Sequence, residues 1–210
     1  MYELAAEFPE TSVDPGTNLL VSGPPLSGKR RLALAILAHG TRRGEGAIVV
    51  TTKDNASRIL SEYDALLGET DLSTANLGIV DCVSKQHGAT ELTEDDRIRY
   101  ASSPVDMTGI GIDISELLNE FYVDRGLRRN RILLYSLSTL LMYSNLQTVF
   151  RFLHVFTGRI QSADALGIYV IDSTAHDDQT LNTLKQLFDG IIEVGEDVDD
   201  PPSIRLASST

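Results

Sequence analysis

Short runs of apolar, mostly β-branched residues alternate along the chain with stretches in which apolar residues recur every three to four positions. The first pattern is typical of buried strands and the second of helices that bury one face. The spacing predicts strands over 18–22, 47–51, 77–83, 131–136, 166–171, 190–194 and 203–206, and helices over 29–39, 56–67, 112–122, 145–162 and 179–188. This alternation favours an α/β fold with a mostly parallel, twisted sheet flanked by helices.

Residues 1–210 are predicted to form a single domain, because the length suits one α/β unit and neither a repeat nor an interdomain linker is visible. Within it, residues 1–16 are interpreted as an N-terminal extension. Residues 195–210 are interpreted as a C-terminal β-hairpin and tail with an acidic turn. Residues 84–108 are predicted to be a long loop, which in a compact domain is usually functional or mobile.

The most unusual bulk property is a net charge of −12, with 30 acidic against 18 basic residues. Lysine is rare and occurs only as Lys29, Lys53, Lys85 and Lys185. An acidic, lysine-poor surface stays hydrated when salt screens charge, so we interpret it as typical of a haloarchaeal cytoplasm. An ordinary acidic protein is the alternative.

The same charge argues against constitutive nucleic-acid binding, because no basic stripe with interleaved aromatic residues occurs. The densest positive cluster is Arg125, Arg128, Arg129 and Arg131, and we interpret it as a solvated turn. Cys82 is the single cysteine, which excludes an internal disulfide and a cysteine metal cluster. No secretory signal and no membrane span is predicted, so a cytoplasmic location is expected.

The strongest motif is Gly23, Pro24, Pro25, Leu26, Ser27, Gly28 and Lys29, which has the G-x-x-x-x-G-K spacing of a phosphate-binding loop. Glycines let the backbone curl so that several N–H groups converge on phosphate oxygens. The helix that follows directs its positive end at the same anion. Together with Arg30, these residues are the predicted binding site for ATP or ADP, with Lys29 bridging the outer phosphates.

The position after this motif departs from the usual pattern. A Ser or Thr hydroxyl normally binds Mg²⁺ there, but this chain has Arg30. Arg30 either neutralises phosphate charge itself or points away as a solvated helix residue. The second usual anchor is an Asp that closes an apolar strand, and the corresponding residue is Tyr135, followed by Ser136. Both protein anchors for Mg²⁺ are therefore missing in this alignment, and no metal site is predicted.

At these residues the chain resembles the KaiC-like branch of the RecA superfamily, in particular its small single-domain haloarchaeal members. The segments that carry the resemblance are 19–29, 80–84, 107–112, 149–155 and 187–193. The resemblance covers nearly the whole chain and implies a RecA-like P-loop core, ATP as ligand and often ring-shaped homo-oligomers with nucleotide between subunits. Some members of this group resemble inactivated ATPases linked to signal transduction.

In KaiC-type enzymes a glutamate pair after the second strand activates the attacking water. The matching positions here hold Lys53 and Asp54. Asp54 is a weak candidate for the catalytic base, and capping of the next helix is the alternative. Because Arg30, Tyr135 and Lys53 all depart from the family pattern, we expect efficient hydrolysis to have been lost.

Two further polar segments have candidate roles. Asp172 and His176 follow the fifth predicted strand, where a RecA fold places its nucleotide-sensing residue; helix capping is the alternative. Arg205 lies on the last predicted strand, where hexameric relatives can offer a basic residue to a neighbour's phosphate. The segment from Gly109 to Gly111 is not a dinucleotide-binding fingerprint, since it follows a loop and lacks the third glycine.

The leading hypothesis is a nucleotide-binding regulatory or signal-transduction module with little or no ATPase activity, which acts through a protein partner or self-assembly. A slow KaiC-like ATPase with Asp54 as base is the alternative. A non-binding structural interaction domain is a third possibility. DNA recombination is disfavoured by the charge and by the missing hydrolytic residues, and the fold alone does not decide among these functions.

Overall fold

A sheet of eight strands forms the centre of the computed structural model, which describes residues 1–5, 7–69, 71, 76–86, 92–196 and 200–207. Within these residues the strands are β1 (Tyr2–Glu3), β2 (Ser12–Val13), β3 (Asn18–Gly23), β4 (Gly46–Thr51), β5 (Leu77–Asp81), β6 (Ile98–Tyr100), β7 (Asn130–Tyr135), β8 (Leu166–Asp172), β9 (Gly190–Glu193) and β10 (Ser203–Leu206). The central sheet has the order β10-β9-β3-β8-β7-β4-β5-β6, and β1 pairs with β2 separately.

Neighbouring strands of the central sheet are parallel except for β9 and β10, which form an antiparallel pair. The predicted α/β class, the mostly parallel sheet and the C-terminal hairpin are therefore confirmed. Helices flank the sheet: α1 (Lys29–Thr41), α2 (Ala56–Leu67), α3 (Met107–Asn119), α4 (Leu137–Tyr143), α5 (Leu146–Ser162) and α6 (Asp178–Lys185). A single π-helical turn, Glu120–Asp124, extends α3.

Two hydrophobic cores lie on opposite faces of the sheet. Side chains alternate between the faces along each strand, so in β7 Leu133 contributes to the core under α1 and α2, whereas Ile132 and Leu134 contribute to the core under α3–α6. Strands buried on both faces have near-continuous apolar sequences, which is why the sequence pattern located them. No helix in the described part of the chain has the length and apolarity that a bilayer crossing requires.

The predicted 84–108 loop is partly wrong, because it contains β6 and the start of α3. Asp106 caps α3 by accepting a hydrogen bond from the Gly109 amide, so the helix begins at Met107 and not at residue 112. Gly109 and Gly111 lower the helix propensity of this turn and concealed it. Residues 87–91 of the predicted loop, and residues 197–199 and 208–210 of the C-terminal segment, lie outside the described residues.

Neither α4 nor the β1–β2 hairpin was predicted from the sequence. The helix α4 has seven residues and ends where Ser144 turns to extended backbone, directly before Asn145 caps α5. So short a helix gives little periodic signal. The hairpin lies within the segment 1–16, where Tyr2 and Val13 are buried against the core under α1 and α2.

Arg131 is fully buried, so the interpretation of its whole cluster as a solvated turn is wrong. Its Nε donates to Glu45 Oε2 at 2.6 Å, and its two terminal nitrogens donate to the carbonyl oxygens of Leu4, Ile36 and Glu3. Four of its five N–H donors are thereby used, which offsets the cost of burying the charge. One guanidinium therefore joins the N-terminal hairpin, α1 and β7.

Asp81, at the end of β5, is a second buried charge-bearing group. Its carboxylate accepts hydrogen bonds from the amides of Ala56, Val83 and Ser84 and from the Ser84 hydroxyl, at 2.8–2.9 Å. Because the Ala56 amide belongs to the first turn of α2, this carboxylate fixes the start of that helix beside the sheet.

Replacement of Arg131 by Met should destabilise the fold by about 3–5 kcal/mol, because it removes the donor to Oε2 of the buried Glu45 carboxylate and to three carbonyl oxygens, while Arg129 still pairs with Oε1. Urea unfolding measures the change. Arg125→Met is the matched control, since Arg125 pairs with Glu120 at a more exposed position and should cost at most about 1 kcal/mol. Equal losses in the two variants would contradict the argument.

The ion pair between Glu45 and Arg131 also makes the stability of the fold depend on pH under acidic conditions. Burial alone raises the pKa of Glu45, but hydrogen bonds and charge from Arg131 and Arg129 outweigh it and lower that pKa. The contribution of the pair is therefore present above the ordinary glutamate pKa and is lost as the pH falls through the lowered value. Arg131→Met should flatten this part of the stability–pH curve.

Candidate functional site

An open cleft of about 820 Å³ lies at the carboxyl ends of β3, β4, β7 and β8. This edge is where open parallel sheets bind ligands, because the loops that follow neighbouring strands converge there. Loop 23–29, the candidate phosphate-binding loop, forms one wall. The other walls are formed where β4, β7 and β8 end. They include Thr52 after β4, Tyr135 at the end of β7 and Asp172 at the end of β8.

The backbone of loop 23–29 curls because two of its residues adopt left-handed conformations. Gly28 has φ 81°, which glycine adopts without cost, and Leu26 has φ 61°, which strains a residue with a side chain. Gly23 is needed for close packing, since a Cβ there would lie 2.7 Å from the Val194 carbonyl oxygen. The Leu26 side chain is 95% exposed at the tip of the loop.

The first turn of α1 leaves its amide groups available. Gly28 stands at the N-cap and supplies no side-chain acceptor, whereas Asn55, Asn145 and Asp177 cap α2, α5 and α6. The first N–H groups of a helix have no partner within the helix. Ser27 Oγ is buried and also has no hydrogen-bond partner among the described residues. Unsatisfied donors at a positive helix end fit an anion such as phosphate.

Lys29 lies at the base of the same cleft. Its Nζ donates to the Pro24 carbonyl oxygen at 2.5 Å. Burial lowers the pKa of Lys29, and nearby Lys53 lowers it further, while Asp172 opposes the shift. The lysine therefore faces a carboxylate and a second cation, and a polyanion in the cleft would favour its charged form.

Arg30 is held between two carboxylates at the N-terminal end of α1. Its guanidinium donates to Asp54 Oδ2 at 2.7 Å, pairs with Glu62 of α2 and stacks over the Tyr135 ring at 5.5 Å. The side chain is only 16% exposed, so the reading of Arg30 as a solvated helix residue is wrong. Burial raises the pKa of Tyr135, the Asp54 carboxylate adds to that shift, and Arg30 opposes it.

Asp54, the weak candidate for a catalytic base, is nearly buried and already paired. Besides Arg30, its other oxygen pairs with Arg58 at 3.1 Å. The backbone of Asp54 is fixed by Thr51, whose hydroxyl donates to the Asp54 carbonyl. Lys53 lines the same cleft and is exposed. A carboxylate that two guanidinium groups engage is poorly placed to accept a proton from water.

The residues present do not fit Mg²⁺. Arg30 offers no lone pair at the position of the usual hydroxyl ligand, and Tyr135 offers a protonated phenol at the position of the usual carboxylate. Among the described residues, His, Cys, Asp and Glu side chains form no group of three or more that could hold a metal ion. The positive charge beside loop 23–29 is instead supplied by the guanidinium of Arg30.

The segment after β8 brings both candidate sensing residues to the cleft edge. The Asp172 amide donates to Ser138 Oγ at 2.9 Å, and His176 Nε2 lies 2.9 Å from the same oxygen. The Asp172 carboxylate accepts hydrogen bonds from the amide and hydroxyl of Thr174. Ser138 belongs to α4. Because that helix was not predicted from the sequence, the contacts of Ser138 in the cleft were not predicted either.

Several other cleft residues were also missed. Arg58 and Glu62 are spaced four apart on α2, a spacing that could have indicated a shared face. Met142 and Tyr143, at the end of α4, are 78% and 56% exposed. Another candidate, Arg205, lies elsewhere, since it pairs with Glu193 on the β9–β10 hairpin. Cys82 is buried, and burial raises the pKa of its thiol.

Two solved structures share the fold. A KaiC-like protein, PH0186, from the hyperthermophilic archaeon Pyrococcus horikoshii is 13% identical, with a TM-score of 0.62 over 91% of this chain and 79% of that one. An uncharacterised protein, PH0321, from the same species in complex with an unknown peptide is also 13% identical, with a TM-score of 0.68 over 91% and 84%. The resemblance to KaiC-like proteins is therefore confirmed for the RecA-like fold.

Comparison by sequence gives a family match but no match to a curated protein. A search of the curated proteins finds no match. A family model spans residues 16–194, which include the central sheet up to β9 and the whole of loop 23–29. On that match, the chain belongs to the family of unknown function DUF7504.

Proposed function

We propose that this protein is a regulatory or signal-transduction module that binds ATP or ADP in the cleft at loop 23–29 without Mg²⁺-dependent hydrolysis. The observation that carries the proposal is the position of Arg30. A fixed guanidinium stands where a hydrolytic site would bind its metal, directly after a lysine and a curled loop suited to phosphate. Arginine binds phosphate oxygens in a planar, forked geometry, so it can neutralise the ligand that the metal would otherwise neutralise.

Phosphate binding is supported by three features of the cleft. The Ser27 hydroxyl is buried and unpartnered among the described residues, the N-terminus of α1 has no side-chain cap, and the Lys29 ammonium lies in the cleft. When bound, a nucleotide would supply the phosphate acceptors that these donors lack. Lys29 would exchange its contact with the Pro24 carbonyl for the outer phosphates.

Slow hydrolysis with Asp54 as base is the less favoured alternative, because Arg30 and Arg58 both engage that carboxylate. A non-binding interaction domain is favoured by one contact, the 2.5 Å hydrogen bond that keeps Lys29 within its own loop. Self-assembly and nucleotide binding are what the resemblance to KaiC-like proteins implies, and one structural neighbour carries that name. A ring-type homo-oligomer and an unidentified protein partner are part of the proposal, as are a cytoplasmic location and no nucleic-acid partner.

Binding of ATP should depend little on Mg²⁺, because Arg30 takes the place of the metal beside the phosphates. Calorimetric titrations in high KCl, with Mg²⁺ and with EDTA, should give dissociation constants within about threefold of each other. Arg30→Ser is the matched variant and should make binding Mg²⁺-dependent. Wild-type binding that strictly requires Mg²⁺ would refute the proposed role of Arg30.

Lys29→Ala should remove the thermal stabilisation that ATP confers. At a hundredfold excess over the dissociation constant, a ligand adds about 2.7 kcal/mol, which is about 5–10 °C in Tm for a chain of this size. Lys185→Ala, on α6 outside the cleft, should retain the full shift. If ATP raises the Tm of neither the wild type nor the variants, the chain is a non-binding domain. If the Lys29→Ala variant keeps the shift in Tm, the ligand binds elsewhere.

The double substitution Arg30→Ser with Tyr135→Asp should raise ATP hydrolysis by about tenfold or more, since it restores a hydroxyl and a carboxylate ligand for Mg²⁺. Phosphate release under saturating Mg²⁺ and ATP measures this. Arg30→Ser alone, which restores one ligand, should remain near the wild-type background. Robust turnover by the wild type in high salt would defeat the proposed loss of hydrolysis.

A further inference from the structure

A groove between α3 and α5 is lined largely by apolar side chains. It has a cavity volume of about 370 Å³ and lies over the core on the α3–α6 side of the sheet. Met107 and Phe152 are half-buried in its lining, while Ile112 and Val155 are 53% and 57% exposed. Clustered exposed apolar residues mark interaction sites more often than isolated ones do.

The charge lining this groove is opposite to that of the whole chain. Arg151 and Arg159 line it, and no carboxylate does, although the chain carries a net charge of −12. Among the ion pairs of the described residues neither arginine takes part. Arg159 is held across the groove, because its guanidinium donates to the Gly111 carbonyl at 3.2 Å and to Ser115 Oγ at 3.3 Å.

The shape of the groove suits a helix. Its α5 residues are spaced along one face from Thr148 to Arg159, which is about 16 Å or three turns. The walls are helices, whose backbone groups are bonded internally, so the groove offers no strand edge to an extended peptide. Gly111 leaves room for the Arg159 guanidinium, since a Cβ there would lie 3.3 Å from its Nη1 atom.

We infer that this groove docks an amphipathic helix of a partner protein, with an apolar stripe on Ile112, Phe152 and Val155 and acidic side chains beside Arg151 and Arg159. The two arginines attract an acidic partner to the groove, whereas the other, acidic surfaces of this protein repel it. Such a partner is therefore directed to the groove and not to the rest of the surface. Among the described residues, none lines both this groove and the cleft at loop 23–29. The inference therefore stands independently of nucleotide binding.

Two synthetic helical peptides of about twelve residues, with the same leucine stripe and either glutamate or lysine flanks, provide the test. Fluorescence anisotropy with the full chain should show tighter binding of the glutamate-flanked peptide. Val155→Asp should weaken that binding by about tenfold or more, because it places a charge in the apolar stripe. Arg151→Glu should reverse the preference in favour of the lysine-flanked peptide.

Matched controls separate the groove from general surface effects. Val123→Asp makes the same change at an exposed valine outside the groove, and Arg128→Glu makes the same charge reversal elsewhere; both should leave peptide binding unchanged. Circular dichroism confirms that each variant is folded. The inference is overturned if neither peptide binds, if the lysine-flanked peptide is preferred, or if Val155→Asp binds as the wild type does. It is equally overturned if sedimentation shows a homodimer that Val155→Asp dissociates, because a second copy then occupies the groove.

Discussion

The guanidinium of Arg30, held by the carboxylates of Asp54 and Glu62, is the interaction on which the organisation of the cleft depends. It connects the first turn of α1, the exit of β4 and the face of α2, and its stacking on Tyr135 adds the end of β7. Without a cation between them, two carboxylates this close would repel each other. The protein relieves that repulsion with a positive charge from its own chain.

Two departures from the resembled pattern, Arg30 and Tyr135, are far apart in the chain, yet the fold brings them into contact. Arg30 pairs with Asp54 and stacks over the Tyr135 ring. Lys53, the third departure, precedes Asp54 in the chain and is exposed in the cleft. An arginine at position 30 is therefore accommodated by a carboxylate and an aromatic ring that come from two different strand ends.

Most of the fold was predictable, because two-sided burial imposes apolar runs that local sequence displays, as in β3 and β7. The location of the cleft was also predictable, since loop 23–29 carries its own glycine and lysine pattern. What escaped prediction depends on residues far apart in sequence. Arg131 reads as one more surface arginine until Glu45, 86 positions away, is placed beside it, and Ser138 meets Asp172 only after β7 and β8 have paired.

The cleft and the groove use different properties of the same sheet. The cleft lies where β3, β4, β7 and β8 end, whereas the groove lies on the helices that cover one face. The helix α5 touches both regions of the architecture, since it packs on β3 and on β8, whose last residue is Asp172. The cleft contains an ion-paired arginine and the groove an apolar surface with two arginines, and both kinds of surface are suited to binding.

The buried guanidinium of Arg131 also makes the hairpin β1–β2 depend on a distant part of the chain. The carbonyl groups of Glu3 and Leu4 accept hydrogen bonds from a residue 127–128 positions further along. If β7 is displaced, these carbonyl groups lose their donor, and Tyr2 and Leu4 lose part of the core in which they are buried. The order of this hairpin therefore reports whether β7 is in place.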